Sequence, residues 1–374
     1  MQIGLVKEIK NKENRVGLTP HGVAVLVAGS HQVFVEQGAG LGSGYSDADY
    51  QQAGAILVTT EQAWDQELVI KVKEPLETEY KFLKRQIVFT YFHLAGVSPL
   101  LTTALLGAET TALAYETLED SHGRLPLLAP MSAVAGNMAV QMGAYYLAAF
   151  NGGKGVQLGS VLGQAHGKVL ILGDGVVGTH AARTAAGLGA NVVVAGLLAE
   201  NGLRLQREVS SAIDYVISTP ETIAKHLLDT DLLIGAVLVH GARAQHLVTE
   251  SMVKTMQPGS VLVDVSIDQG GCIETAHATT HDNPVYKLHE VIHYCVSNMP
   301  GAYPRTATQA LTTATLPYIQ TIADQGLSAL SLNPGFYKAL NTHQGYITYR
   351  PVAEALGMMD RFRVFKADDI AVAN

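Results

Sequence analysis

The chain has 374 residues, 48% of them hydrophobic and 16% charged, with a formal net charge of −8. That length suggests two domains with ample buried core. The acidic balance, with no basic run to offer phosphates a footprint, excludes a general nucleic-acid binder and favours solubility.

In chain order, the first apolar run, residues 3–6, is a strand that begins at once. No basic segment followed by an apolar one precedes it, so no signal peptide is read and the cytoplasm is expected. Thr19-Pro20 marks a helix start, with Thr as N-cap and Pro at the first helical position. Further strands are expected at 32–35, 68–72 and 87–91, and four glycines between 38 and 44 mark a loop. Alternating strand and helix implies a mostly parallel sheet with helices on both faces. Residues 125–153 carry no charge, which is long enough to raise a membrane span. Asn137 and Gln141, with Gly136 and Gly143 beside them, favour instead a buried helix over 132–150, packed between domains or subunits. Strand–helix alternation then restarts with strand 168–172, helix 176–188 and strands 191–195, 231–236 and 260–265. From about residue 306 the pattern is helical without clear strands. The expected fold is α/β, with two doubly wound Rossmann-like domains and parallel sheets covered by helices on both faces. The expected domains are 1–128 plus 305–374, discontinuous, and 129–304, which includes the helix at 132–150.

Gly173-Asp174-Gly175-Val176-Val177-Gly178 follows a strand directly and opens a helix. In that setting a G-x-G-x-x-G run points to a dinucleotide site. Gly173 allows the tight turn, Gly175 lets backbone approach a pyrophosphate, and Gly178 lets the helix pack on the strand. The helix N-terminus offers free N–H groups and a positive dipole end to phosphates. The plainer alternative is a glycine-rich turn with no ligand. An NAD site usually carries an acid about 20 residues on, at the end of the second strand, against the ribose hydroxyls. Here that strand ends Val194-Ala195-Gly196-Leu197, with no acid before Glu200 and no Arg before Arg204. NADP therefore stays open, although Asp174 puts negative charge near the phosphates and favours NAD.

Four polar groups stand out near predicted strand ends, where open α/β sheets bind ligands. Arg15 can hold a carboxylate bidentately. Lys71 and Lys73, two apart on a strand, share a face, and a second cation there can polarise a carbonyl or imine. His93 suits proton transfer near neutrality. Asp264 and Asp268 can orient reacting groups and stabilise positive intermediates. These are the four tasks of oxidising an amine beside a carboxylate. Each residue also has a structural reading: a surface ion pair, a strand-end charge, a core histidine, a turn cap. Cys272 and Cys295 form no disulfide framework and no CxxC spacing, so they read as reduced, partly buried thiols. The 14 histidines are scattered. His289 and His293, four apart, fall in a run that reads as strand and loop, so no essential metal is expected.

The flanking runs narrow the choice. Lys-Glu-Asn-Arg-Val-Gly-Leu-Thr-Pro (12–20), Lys-Val-Lys-Glu-Pro (71–75), His-Leu-Ala (93–95), Tyr-Glu-Thr (115–117) and Leu-Leu-Ala-Pro-Met-Ser (127–132) come in order. The glycine loop (173–178), Leu-Ile-Gly-Ala-Val-Leu-Val (233–239), Val-Asp-Val-Ser-Ile-Asp-Gln-Gly-Gly (263–271) and Asn-Met-Pro-Gly (298–301) follow. This set resembles bacterial alanine dehydrogenase, of the alanine dehydrogenase/transhydrogenase alpha-subunit family, from residue 1 to about 355.

The resemblance implies a cytoplasmic homohexamer that interconverts L-alanine with pyruvate and ammonia using NAD, without nucleic-acid or membrane partners. Arg15 would bind the substrate carboxylate and Lys73 the substrate oxygens. His93 would be the general acid/base, and Asp268 would support carbinolamine and imine intermediates, with domain closure bringing Asp268 toward His93 and Lys73. Cofactor contacts would come from Ser132, Gly173, Gly175, Val176, Val177, Gly178, Gly196, Ser218, Val237, Leu238, Val265, Ser266, Ile267, Asp268, Val296, Ser297, Asn298 and Met299. Gly196 stands where the family usually has its ribose-binding acid, and Asn201 where a basic residue is common. Rival readings are the soluble part of a proton-pumping transhydrogenase, a non-catalytic binding module, and a dehydrogenase of another small 2-oxo acid.

Overall fold

The computed structural model describes residues 1–237 and 246–365. The chain divides into two compact units, Met1–Met131 with Tyr303–Asn374, and Ser132–Ala302. Strands β1 (Gln2–Leu5), β2 (Gln32–Glu36), β3 (Ile56–Val58), β4 (Leu68–Ile70), β5 (Ile87–Thr90) and β6 (Thr111–Ala114) lie in the first unit. The second unit has a hairpin, β7 (Gly159–Val161) with β8 (Gln164–His166). Its main sheet contains β9 (Lys168–Leu172), β10 (Asn191–Gly196), β11 (Asp214–Ile217), β12 (Leu232–Gly235), β13 (Val261–Asp264), β14 (Val285–Leu288) and β15 (Val291–Tyr294). The chain returns to the first unit with β16 (Leu340–His343) and β17 (Tyr346–Ile347).

The first sheet has the order β17-β16-β6-β5-β4-β1-β2-β3, and the second β11-β10-β9-β12-β13-β15-β14. Pairing among β1–β6 is parallel. Pairing is also parallel among β9–β13 and β15. Each sheet starts in its middle, grows to one edge, and then returns to build the other. The reversal falls between β1 and β4 in the first unit and between β9 and β12 in the second. Such a switch point leaves a crevice beyond the carboxyl ends of the strands. Strand residues alternate between two cores. Val169 and Ile171 face one and Leu170 and Leu172 the other, just as Leu68 and Ile70 oppose Val69. Sheets covered on both faces need such unbroken apolar runs.

Local signals hold where their chemistry is contiguous. The Thr19 hydroxyl accepts the Gly22 N–H at 3.2 Å, and Pro20 opens the helix Pro20–Ala28. The uncharged helix runs Ala129–Leu147 rather than 132–150, and Phe150 beyond it is 84% exposed. Pro130 fits its first turn because no N–H is needed there. The residues that argue against a membrane span are packing devices. A Cβ on Gly136 would lie 2.3 Å from the Val177 carbonyl oxygen, and one on Gly143 2.5 Å from Leu232. The Thr184 hydroxyl donates to the Asn137 side-chain carbonyl at 2.9 Å. Among the described residues no helix is long and apolar enough to cross a membrane.

The C-terminal segment departs from expectation. Beyond the long helix Pro304–Gln325, β16 adds antiparallel to β6 and β17 to β16. The strand Leu-Asn-Thr-His is polar, so no apolar run announces it, yet it is buried throughout. Several of its polar atoms are met across the sheet edge, while Asn341 Oδ1 and His343 Nε2 are buried with no partner among the described residues. Thr342 donates to the Thr110 carbonyl at 2.8 Å and Asn341 to the Thr117 hydroxyl at 2.8 Å. His289 and Glu290 form the turn between β14 and β15 with φ +52 and +61, so His289 and His293 share no helix.

Candidate functional site

In the first unit, three strand ends deliver charged groups to the switch point. Glu8 follows β1 and accepts the backbone N–H groups of Val72 (2.6 Å) and Lys73 (3.3 Å), which follow β4. Lys71 is fully buried, with its ammonium 2.9 Å from Glu79 and 3.3 Å from Glu8. Burial alone would pull the Lys71 pKa down, but the two carboxylates outweigh it and hold it above its ordinary value. Burial pushes Glu8 up against the opposing pull of Lys71. The lysines therefore do not share one environment. The strand ends at Ile70, alternation stops with it, and Lys73 is left half-buried.

Arg15 is not a surface ion pair. It is buried, and Glu13 receives its Nε at 2.7 Å and its Nη2 at 2.5 Å, while Nη1 lies 3.0 Å from the Met131 thioether. This two-point grip fixes the plane of the guanidinium. His93 follows β5 in the left-handed region at φ +50, a conformation that costs a non-glycine residue energy unless its surroundings hold it. Glu116, beyond β6, does so by accepting the backbone N–H groups of His93 (2.5 Å) and Phe92 (3.3 Å). The imidazole is 42% exposed, lies 4.0 Å from the same carboxylate, and stacks on Tyr91 at 5.7 Å with planes 4° apart. Tyr91 is buried, and burial pushes its phenol pKa up against the opposing charge of Arg15.

In the second unit, the glycine turn lies at the switch point. Gly173 has φ +106, and a Cβ there would meet the Ala236 carbonyl at 2.5 Å. A Cβ on Gly178 would meet the Gly173 carbonyl at 1.9 Å, so helix Val176–Leu188 can approach the strand this closely only as glycine. A Cβ on Gly175 would meet nothing within 4 Å, and no side chain caps the helix that Gly175 begins. Open space in front of uncapped N–H groups is what a pyrophosphate requires, so these residues fit a dinucleotide. Val176 and Val177 form the helix's first turn.

Apart from Ser132 and Leu238, the other predicted contacts lie at or just past the carboxyl ends of strands in this sheet. Gly196 ends β10, and Ser218, just past β11, donates its N–H to the Gly196 carbonyl at 2.8 Å. Val237, after β12, donates its N–H to Ser266 Oγ at 3.0 Å. Val265, Ser266, Ile267 and Asp268 form a short 3-10 turn after β13. Asp268 is exposed and accepts the Asn298 N–H at 3.3 Å. Val296, Ser297 and Met299 follow β15, with Val296 and Met299 buried. Ser132 lies near the start of the Ala129–Leu147 helix. Leu238 lies outside the described residues.

Asp264 is fully buried. It accepts the N–H groups of Ser266 (3.0 Å), Cys272 (2.9 Å) and Ile273 (3.2 Å), anchoring both ends of the loop that carries Asp268. Burial, against these bonds, pushes its pKa up to about 6. Cys272 and Cys295 are both free and fully buried. Glu8, Glu13, Glu79 and Glu116 are supporting groups that the sequence alone does not mark as site residues. Their one sequence signal is a carboxylate close to a strand end or to Arg15 in a chain with few charges.

A doubly wound sheet with a glycine-turn cradle, in one chain with a second sheet presenting Arg, Lys and His, defines a nicotinamide-dinucleotide-dependent dehydrogenase acting on a small carboxylate. Residues 4–135 match the description "Alanine dehydrogenase/PNT, N-terminal domain", and residues 139–350 match "Alanine dehydrogenase/PNT, C-terminal domain". The chain is 53% identical over 362 residues to an alanine dehydrogenase of Bacillus subtilis, covering 96% of this chain and 95% of the relative. A solved L-alanine dehydrogenase superposes with a TM-score of 0.92 at 48% identity, over 96% of this chain and 99% of that one. A transhydrogenase structure from Sinorhizobium meliloti superposes with a TM-score of 0.78 at 25% identity, over 93% of this chain and 99% of that one. The chain belongs to the alanine dehydrogenase/PNT family. It is an amino-acid dehydrogenase that uses a nicotinamide cofactor and small-molecule substrates.

Proposed function

We propose that the chain catalyses the reversible oxidative deamination of L-alanine to pyruvate and ammonia, with NAD as hydride acceptor. The observation that carries the substrate half is Arg15, buried and gripped in one plane by Glu13. Such a fixed cation suits a small carboxylate. The first unit is thus the substrate domain and the second the cofactor domain.

NAD would be held by the glycine turn at 173–178, and would supply the acceptor for the hydride that leaves the substrate Cα. His93 takes a proton from the water that adds to the resulting iminium carbon, and returns it to nitrogen so that ammonia can leave. Lys73 holds the substrate oxygens, and Asp268 offers a carboxylate to the positively charged iminium. The balance is L-alanine, water and NAD+ to pyruvate, ammonium, NADH and a proton. NAD is preferred to NADP because Asp174 places negative charge on the glycine loop. The cytoplasm and a homohexamer are the setting the resemblance implies, and Tyr145, Phe150, Val161 and Leu162, all exposed on the second unit, are apolar side chains that a subunit interface would cover.

The test is the initial rate of NADH and NADPH oxidation with pyruvate and ammonium. NADH oxidation that needs both substrates is expected. No turnover by a folded, assembled protein would sink the reading, and faster use of NADPH would overturn the NAD preference alone.

A further inference from the structure

We propose that Asp174, within the glycine loop, supplies the carboxylate that binds the adenine-side ribose hydroxyls, in place of an acid at the end of the second strand. This rests on the dinucleotide-binding reading of the second unit. Strand β10 ends at Gly196, beside the glycine loop, and the Gly173 N–H donates to the Ala195 carbonyl at 2.8 Å. A Cβ on Gly196 would lie 2.2 Å from Asp174 Oδ2 and 2.1 Å from the Tyr215 hydroxyl oxygen. With those two groups in place, no side chain can stand at 196. The missing acid and the glycine that replaces it therefore have one cause: the carboxylate reaches the same spot from the neighbouring loop.

Asp174 is held there. The Tyr215 hydroxyl donates to Oδ2 at 2.6 Å and the Asn201 amide at 3.0 Å, while Arg204 Nη2 donates to the Asp174 backbone carbonyl at 2.8 Å. Burial and the bond to Asp174 push the Tyr215 pKa up, so the phenol stays a donor at neutral pH. Among the described residues no hydrogen bond reaches Oδ1, which leaves that oxygen to accept from a ribose diol. A 2′-phosphate would bring its charge against the same carboxylate. Arg204 is engaged by the Asp174 carbonyl and lies 3.6 Å from Glu208. Asn201 donates to the acid and adds no cation.

The experiment is calorimetric titration of the purified full-length protein with NADH and with NADPH. Circular dichroism melts check that each variant folds. Replacing Asp174→Asn keeps the shape and removes the charge. NADH binding should weaken roughly ten- to a hundredfold, as for lost hydrogen bonds to a charged group, with NADPH weakened much less. Tyr215→Phe should shift the ratio of the two affinities the same way, by less. Gly196→Asp alone should abolish NADH binding, and adding Asp174→Gly should restore it by returning the acid to the strand end. An affinity ratio in Asp174→Asn within about twofold of wild type overturns the assignment. If wild type then still oxidises NADH with pyruvate and ammonium, only this inference falls. Wild type that binds neither dinucleotide removes the dehydrogenase reading as well.

Discussion

Beyond β1 and β4 the first unit gathers charge: Glu8, Lys71 and Glu79 in one buried cluster and Glu13 with Arg15 in another. Beyond β9 and β12 the second unit gathers space: glycine, backbone N–H groups and the neighbouring Ala236 carbonyl. Two sheets of similar strand order put their sites at the same topological place and fill it oppositely. A small anionic substrate has few atoms to hold, so it needs a cation fixed in advance, and a buried cation needs carboxylates around it. A dinucleotide is long and carries its own charge, so it is better met by bare backbone at a helix N-terminus. The first arrangement concentrates risk in a few ion pairs. The second spreads recognition over many weak contacts and a tolerance for no side chain at all.

The sharpest way to break this comparison is His93→Ala. Loss of the proposed general acid/base should cut kcat by about 10²–10⁴, read as initial rates with pyruvate, ammonium and NADH, while NADH titration should stay unchanged because the proposed cofactor cradle belongs to the other unit. A parallel loss of NADH affinity would dissolve the division of labour.

Next is Glu13→Gln, which leaves Arg15 buried with half its grip. Breaking a buried pair costs roughly 3–5 kcal/mol, so urea unfolding should shift accordingly and KM for pyruvate should rise. A neutral effect on both would mean that Glu13 does not orient Arg15.

Asp264 tests the second unit by pH. Its folded pKa, about 6, lies above the unfolded value near 3.8. The fold therefore favours the proton, and the associated stability is present below the unfolded value and lost as pH rises through about 6. The unfolding free energy of wild type relative to Asp264→Asn should fall by up to about 3 kcal/mol across that window. A flat difference in denaturant midpoints would remove the burial argument.

Gly178→Ala disturbs the cradle directly, because its added Cβ would lie 1.9 Å from the Gly173 carbonyl oxygen and the helix must back away from the strand. Overpacking of this kind costs about 1–3 kcal/mol and should weaken NADH more than pyruvate. Equal weakening of both would contradict the separation of the sites.

Legibility in the sequence followed locality. Thr19-Pro20, the turn at 173–178 and the apolar runs of β9 and β13 were readable because the residues that cause them are neighbours. Arg15, Lys73, His93 and Asp268 could be picked out as polar groups at strand ends, but a choice of role came only with the ordered motifs around them. The polar strand Leu340–His343 was not readable at all, since its hydrogen bonds reach Thr110 and Thr117, more than two hundred residues away in the chain.

By itself the sequence determined the two doubly wound sheets and the glycine cradle, because strand periodicity, caps and tight turns are short-range consequences of residue type. Only the tertiary structure decided which charges meet. Glu8 binds the Val72 N–H from 64 residues away, and Tyr215 reaches Asp174 across 41. Such pairings depend on strand order and register, which bring distant segments to one edge of a sheet and leave no trace in local composition. The empty position at Gly196 reads as a missing acid in one dimension and as an acid arriving from the next loop in three.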